Sequence, residues 1–328
     1  MSRRFVVLLV VTAAVALVPF QSPAPLVYTP GEGWTYEPVG GGGGWQRPRA
    51  KDQLAVAQTA LEQKNYSLAL KAAKRVVNTW PLSDYAPAAQ YLVGRAYEAK
   101  GDDERAFKAY QTLITKFPKS EHLEDALQRQ YNITMLFLGG KRFRLWGYIP
   151  LFPSMEKTEK MFTEIVASAP YSDVAPNAQI NIGVAHEKAK EYEEAVAAYE
   201  RAADRYSGQP AIAADAVYRA GMAYQKQAKT AGYDQGTAGK AMATLTDFMT
   251  LFPNDARVPK AKETMGLLKG EQARGSYDIA RFYEKRNKWN GALVYYNEVL
   301  LQDPNSPYAA QARQRIDDIK KRFQAAAQ

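Results

Sequence analysis

Apolar residues recur at helical spacing through most of this chain, and small residues mark where two apolar stripes meet. The stretch YLVGRAYEAKGDDERAFKAYQTLITKFP, residues 91–118, shows the unit most plainly. Gly94 allows two helices to approach closely, and Tyr97 is placed to fill the gap between them on the same helical face. Lys100-Gly101-Asp102 interrupts the stripe: Gly101 suits the left-handed residue that closes a helix, and Asp102 suits the N-cap of the next. Ala106, Tyr110 and Leu113 then share one face of a second helix, which Pro118 ends.

The order G-x2-Y, then A-x3-aromatic, then P is that of a tetratricopeptide repeat, with Val93 at its Leu position and Gln90 where its first Trp would stand. With Gly94 as position 8, Ala106 falls at 20, Tyr110 at 24 and Pro118 at 32, and the same spacing recurs five more times. Unit one has Ala57, Ala69, Ala73 and Pro81, unit four Gly183, His186, Ala195, Tyr199 and Ala202, and unit six Ala280, Tyr283, Ala292, Tyr296 and Pro304. Units three and five keep the second helix, through Phe162 and Pro170 and through Ala241, Leu245 and Pro253. Both carry extra residues between their helices, near 138–153 and 229–237.

The insertion in unit three holds Lys141, Arg142, Phe143, Arg144, Trp146, Tyr148 and Phe152, a basic and aromatic loop that either binds something or plugs the local core. The insertion in unit five, KTAGYDQGT, reads as a plain polar loop. Gly266 and Ala280 share a face in a proline-free run after Pro259, as they would on one long helix, and a charged last helix over 306–324 suits a polar terminal cap. The expected fold is all-α: a tetratricopeptide-repeat α-solenoid of about six helix pairs over 50–328, closed by a C-terminal capping helix.

The N-terminal residues depart from this pattern. Ser2-Arg3-Arg4 followed by FVVLLVVTAAVALV makes 1–18 a secretory signal peptide or an uncleaved signal anchor, the apolar run being shorter than the roughly 20 residues of a comfortable span. Residues 19–49, rich in Pro and Gly, form an extended leader. Trp34, Tyr36 and Trp45 suggest that it docks on the array or on a partner; a tether with incidental aromatics is the other reading.

The net charge of +9 is interleaved with acidic residues, which points away from nucleic acid and leaves attraction to an acidic partner or envelope polymer open. Cysteine is absent, removing disulfides, thiolate metal sites and a lipid-acceptor thiol. His122 and His186 are too separated for a metal site or triad, and His186, at the interhelix Tyr position, is placed for packing. Asp102-Asp103 and Glu193-Glu194 fall at helix starts, where they complement the helix dipole. No catalytic residue, metal or cofactor is expected, and the chain reads as non-enzymatic.

The remaining site is the groove that stacked repeats create, faced in tetratricopeptide domains by positions 2, 5, 9 and 12 of each first helix. The candidate peptide-binding residues are Leu54 and Gln58, then Tyr91, Arg95 and Glu98, then Gln128, Asn132 and Met135. Arg95 is placed to receive a carboxylate through a bidentate pair. The lysine and asparagine set of the chaperone-tail carboxylate clamp does not appear.

YSLALKAAKRVVNTWPLSDYAPAAQ in unit one, the interrupted third unit ending in ASAPYSD, and the long helix running into SYDIARFYEKRNKWNGALVYYNEVLLQDPNS together resemble the BamD family of outer-membrane β-barrel assembly subunits. The resemblance covers units one to three and residues 256–304, with units four and five looking like additional repeats. Such proteins are usually lipoproteins at the inner leaflet of the outer membrane that bind the central barrel-assembly protein and the C-terminal signals of substrate barrels. The resemblance implies a periplasmic scaffold, peripherally membrane-associated, whose partners are the barrel-assembly protein, other assembly subunits and unfolded outer-membrane proteins. Arg286, Lys288, Trp289 and Tyr295 are the candidate partner contact. The missing lipid-acceptor Cys is a departure, which would leave attachment to partners, the N-terminus or the leader. Two other readings compete: a cell-envelope coordinator binding peptidoglycan-synthesis or division proteins, and a murein-cleaving enzyme, for whose catalytic domain the repeats leave no room.

Overall fold

The computed structural model describes residues 26–31, 33–36, 44–145, 149–150, 152–230 and 234–326. The expected signal segment, about half of the leader, Trp146 and Tyr148 lie outside these residues. The described chain is an all-α tetratricopeptide-repeat solenoid of thirteen helices with two short hairpins. It divides into two compact units, residues 1–126 and 127–328.

The first unit contains α1 (Ala50–Glu62), α2 (Tyr66–Thr79), α3 (Ala86–Ala99), α4 (Asp103–Lys116) and the start of α5 (Leu123–Leu138), with α1 to α4 packing each on the next. Its core joins Leu54, Ala57, Ala73, Val76, Trp80, Leu92 and Val93. Ahead of α1, strands β1 (Leu26–Thr29) and β2 (Gly33–Tyr36) pair antiparallel, and the Asp84 N–H donates to the Gly31 carbonyl at 2.7 Å. Trp45 packs against the core, and the Arg47 N–H donates to Gln53 Oε1 at 2.8 Å. Two points along the leader are thus tied to the first unit.

The second unit continues with α6 (Met155–Ser168), α7 (Ala175–Ala189), α8 (Tyr192–Arg205), α9 (Pro210–Thr230), α10 (Gln235–Leu251), α11 (Val258–Lys285), α12 (Trp289–Gln302) and α13 (Pro307–Ala326). From α6 onward each helix packs on its successor. The insertion in unit three contains a minimal hairpin, β3 (Arg144–Leu145) with β4 (Ile149–Pro150). Phe143 in that insertion is buried, its ring stacked on Phe137 at 4.2 Å with Lys157 Nζ 5.1 Å from its centroid, so this residue plugs the core. The insertion in unit five differs from the expected loop. Helix α9 runs on through Lys229 and α10 begins at Gln235, because Ala228 remains buried and Asp234 caps the next helix, accepting from the Gly236 N–H at 2.9 Å and the Thr237 hydroxyl at 2.6 Å.

Position 8 decides how closely paired helices approach, and here the structure corrects the sequence reading. A Cβ on Gly94 would come within 2.3 Å of the Tyr110 ring, and one on Gly183 within 2.4 Å of Tyr199. The ring that fills the gap is therefore the position-24 tyrosine of the second helix, while Tyr97 is only half-buried. Unit five makes the same contact with Gly221 against Leu245, and unit three replaces it by Tyr131 tilted on Phe162 at 6.0 Å. The turn is as expected: Gly101 has φ +71°, and Asp102 accepts from the Arg105 N–H at 3.3 Å.

Each buried tyrosine still needs a partner for its hydroxyl. Tyr110 donates to Glu98 at 2.6 Å, Tyr199 to Glu187 at 2.7 Å and Tyr296 to Glu284 at 2.6 Å, all from position 24 to position 12 of the same repeat. Burial first, and then the neighbouring carboxylate, push the Tyr199 and Tyr296 phenols far above their ordinary range. Lys226 and Arg315 neutralise Glu187 and Glu284 in turn.

Further along, Arg257 joins three elements, reaching Asp215 of α9 at 2.5 Å and Asp255 at 2.7 Å while lying 5.6 Å from the Phe248 ring of α10. Its hydrogen bonds hold the Asp255 carboxyl down at about 2, so the pair stays charged through the neutral range.

Gly94→Ala is expected to destabilise the first unit by about 1–3 kcal/mol through overpacking against Tyr110. Gly266→Ala, at an exposed helical position with no atom near its added Cβ, is expected to stabilise by about 0.5–1 kcal/mol. Urea unfolding followed by circular dichroism measures both.

Candidate peptide-binding and partner-binding surfaces

The groove residues expected in the first unit separate into two kinds. Leu54 is buried in the core among Trp80, Leu92 and Val93, so its side chain does not reach a peptide, whereas Gln58 is exposed. Glu98 is occupied by the Tyr110 hydroxyl. Tyr91 and Arg95 do come together: Arg95 Nη1 donates to the Tyr91 hydroxyl at 3.0 Å, and that hydroxyl donates to Asp125 Oδ2 at 2.5 Å. The Tyr91 ring stacks on His122 at 4.3 Å with 15° between planes.

The result is an aromatic shelf with a cation and an anion at its edge. Sequence reasoning missed His122 and Asp125. The available signal was position 2 of the third repeat: the rule that selects Gln128, Asn132 and Met135 at positions 5, 9 and 12 also selects Asp125.

In the second unit, Gln128 Nε2 donates to Asn132 Oδ1 at 2.9 Å on an exposed face. Asn181 Nδ2 lies 3.0 Å from the Tyr131 hydroxyl and 3.3 Å from the Met135 sulfur, so Met135 shares a patch with a residue of α7 that was not singled out. Arg142 and Arg144 of the insertion are exposed. Burial, and then the nearby Arg144, lower the Lys141 pKa.

The partner-contact residues near the C-terminus are likewise divided. The Arg286 guanidinium sits 3.6 Å from the centroid of Phe282, a ring left 53% exposed, and Lys288 is exposed beside them. Trp289 and Tyr295 pack partly into the terminal core, Tyr295 stacked on Tyr283 at 5.5 Å and Trp289 facing Arg322 at 5.2 Å. The surface on offer is therefore the Phe282–Arg286 pair with Lys288, and Phe282 is a residue the sequence reading passed over. His186 bonds Glu191 at 2.8 Å across its own interhelix turn. Among the described residues no group of His, Cys, Asp or Glu side chains is placed to hold a metal ion, and no helix is long and apolar enough to cross a membrane.

Residues 153–303 match the YfiO family, described as outer membrane lipoprotein, and residues 88–120 match a tetratricopeptide-repeat family. Over 155 residues the chain is 24% identical to outer membrane protein assembly factor BamD of Caulobacter vibrioides, covering 47% of this chain and 50% of that protein. The chain carries tetratricopeptide repeats, and its C-terminal half is similar to the BamD-type family. Its match spans about half the length of that curated relative. The BamD-type region runs from the second helix of unit three through α12 and takes in units four and five, which the sequence reading had set aside as additional repeats. Among solved structures, the C-terminal part of a TPR repeat-containing protein from Cytophaga hutchinsonii is 16% identical, with 80% of this chain and 87% of that chain covered and a TM-score of 0.36. YrrB, described as a TPR protein with an unusual peptide-binding site, is 14% identical over 66% of this chain and 92% of its own, also with a TM-score of 0.36.

Tyr91→Phe retains the ring on His122 and removes the hydroxyl that Arg95 and Asp125 share. A loss of about 0.5–1.5 kcal/mol is expected in urea unfolding. Its effect should fail to add to that of Asp125→Asn in a double-mutant cycle.

Proposed function

We propose that this protein is a non-enzymatic scaffold in outer-membrane β-barrel protein assembly, acting in the periplasm at the inner face of the outer membrane. The observation that carries the reading is the match of residues 153–303 to a family of outer membrane lipoproteins, together with the likeness to BamD. The surface chemistry supports a binding role. Tyr91 and Arg95 offer an extended peptide a ring to lie on and guanidinium donors for a carboxylate. Arg286, Lys288 and Phe282 offer a partner protein the residue types that anchor interfaces, within the BamD-type region. In this reading the protein holds a barrel-assembly partner through its C-terminal repeats and extended substrate segments through its N-terminal ones, and its membrane association is peripheral.

Affinity purification of the C-terminally tagged chain from crosslinked cell envelopes tests this directly. Recovery of the large outer-membrane barrel-assembly protein is expected, with a loss of about tenfold or more for Arg286→Glu if that residue anchors the contact. Recovery of peptidoglycan-synthesis or division proteins in its place would reassign the chain as a cell-envelope coordinator.

A further inference from the structure

In the first unit, α2, α3 and α4 enclose a cleft of about 440 Å³ whose lining includes Lys74, Arg105, Lys108 and Lys116 and no carboxylate. In the second unit, α6, α7 and α8 form a cleft of about 770 Å³ with Glu159 and Asp204 set against Arg201 and Arg205. The two are built alike. Gln90 Nε2 donates to the Ala109 carbonyl at 2.8 Å in one, and Gln179 Nε2 donates to the Ala198 carbonyl at 3.3 Å in the other. The repeat architecture therefore produces the recess but not its charge. One recess is electrically balanced and the other is cationic.

Two of the cations of the first cleft meet at Tyr97. Lys74 Nζ donates to the Tyr97 hydroxyl at 2.7 Å, and Arg105 approaches the same ring to 5.9 Å from α4. Arg105 has Asp102 at 3.2 Å, but Lys74, Lys108 and Lys116 form no ion pair among the described residues. Like charges gathered in a recess repel unless an anion offsets them, and a concave wall concentrates their field. Having accepted a hydrogen bond from Lys74, the Tyr97 hydroxyl keeps its own proton to donate to an incoming oxyanion. Lys108 and Lys116 are eight residues apart on α4, a rise of about 12 Å, which an extended peptide covers in about four residues.

We propose that this cleft binds an acidic, extended segment of a partner protein, with one carboxylate at Lys74, Arg105 and Tyr97 and others along α4 at Lys108 and Lys116. A protein segment fits better than an anionic bilayer. Surface-binding faces set large apolar groups beside their cations, and the exposed large hydrophobic residues described in the first unit are Val27, Tyr28, Trp34 and Leu82, none of them on α2, α3 or α4. The cleft uses none of the residues assigned to the peptide groove or to the Arg286 surface, so it stands independently of the assembly reading.

The test is fluorescence anisotropy of the full chain with a fluorescein-labelled peptide of alternating glutamate and alanine, alongside sedimentation with vesicles containing phosphatidylglycerol. The peptide is expected to bind saturably, more weakly as salt rises, and about tenfold or more weakly to Lys74→Glu/Lys108→Glu with an unchanged melting curve. Lys262→Glu/Lys269→Glu, on exposed positions of α11, makes the same change in net charge and should retain binding. Tyr97→Phe and Lys108→Ala/Lys116→Ala provide a readout should the charge reversal disturb folding, and each is expected to weaken binding. Absence of peptide binding by the unaltered chain, equal losses in the cleft and control variants, or binding confined to vesicles would each overturn the proposal.

Discussion

The contact on which units two and four depend is that of a tyrosine ring laid where a glycine side chain would be. Tyr110 against Gly94 and Tyr199 against Gly183 set helix separation to the thickness of one ring, with no room for a Cβ. The same ring brings a polar atom into the interior, and that atom requires an acceptor. Glu98 and Glu187 supply it from one turn further along the glycine helix. A small residue, a large one and a carboxylate thus form a single packing unit. In unit six Ala280 stands at position 8, yet Tyr296 still reaches Glu284, so the hydrogen bond outlasts the tightest form of the steric contact.

This arrangement divides the polar residues between structure and binding. A position-12 glutamate that looks groove-facing by repeat numbering is committed to a buried hydroxyl and is a poor candidate for ligand recognition. Recognition is left to residues whose polar ends meet only at the surface, as with Tyr91, Arg95, His122 and Asp125, or the Phe282–Arg286 pair. The second helices carry a surface of their own. Their exposed positions are free of packing duty, so the clefts behind them differ in charge while sharing one backbone.

Much of the fold was legible in the sequence, because helical spacing, turn glycines and terminal prolines are local signals. Gly101 and Asp102 occupy the expected turn, and the long α11 lies where a proline-free run placed it. The errors arose where the answer depends on a second helix. Spacing places Tyr97 beside Gly94, but only the pairing of α3 with α4 reveals that Tyr110 arrives first. Leu54 carries a groove position number and an apolar side chain, and burial decided between them. Asp125 and His122 precede or open their helix, and their relation to Tyr91 exists only across the repeat junction.

Helix α11 gives the C-terminal region a different mechanical character. Its first half, through Ala261 and Leu268, belongs to the core built on Phe248, and its second half, through Ala273, Tyr277 and Ala280, belongs to the core built on Tyr296. Elsewhere a turn separates neighbouring repeats and lets one loosen while the next holds. Here one rod is a wall of two rooms, so neither core can lose its wall without disturbing the other. The last two repeats therefore respond to load as a single beam.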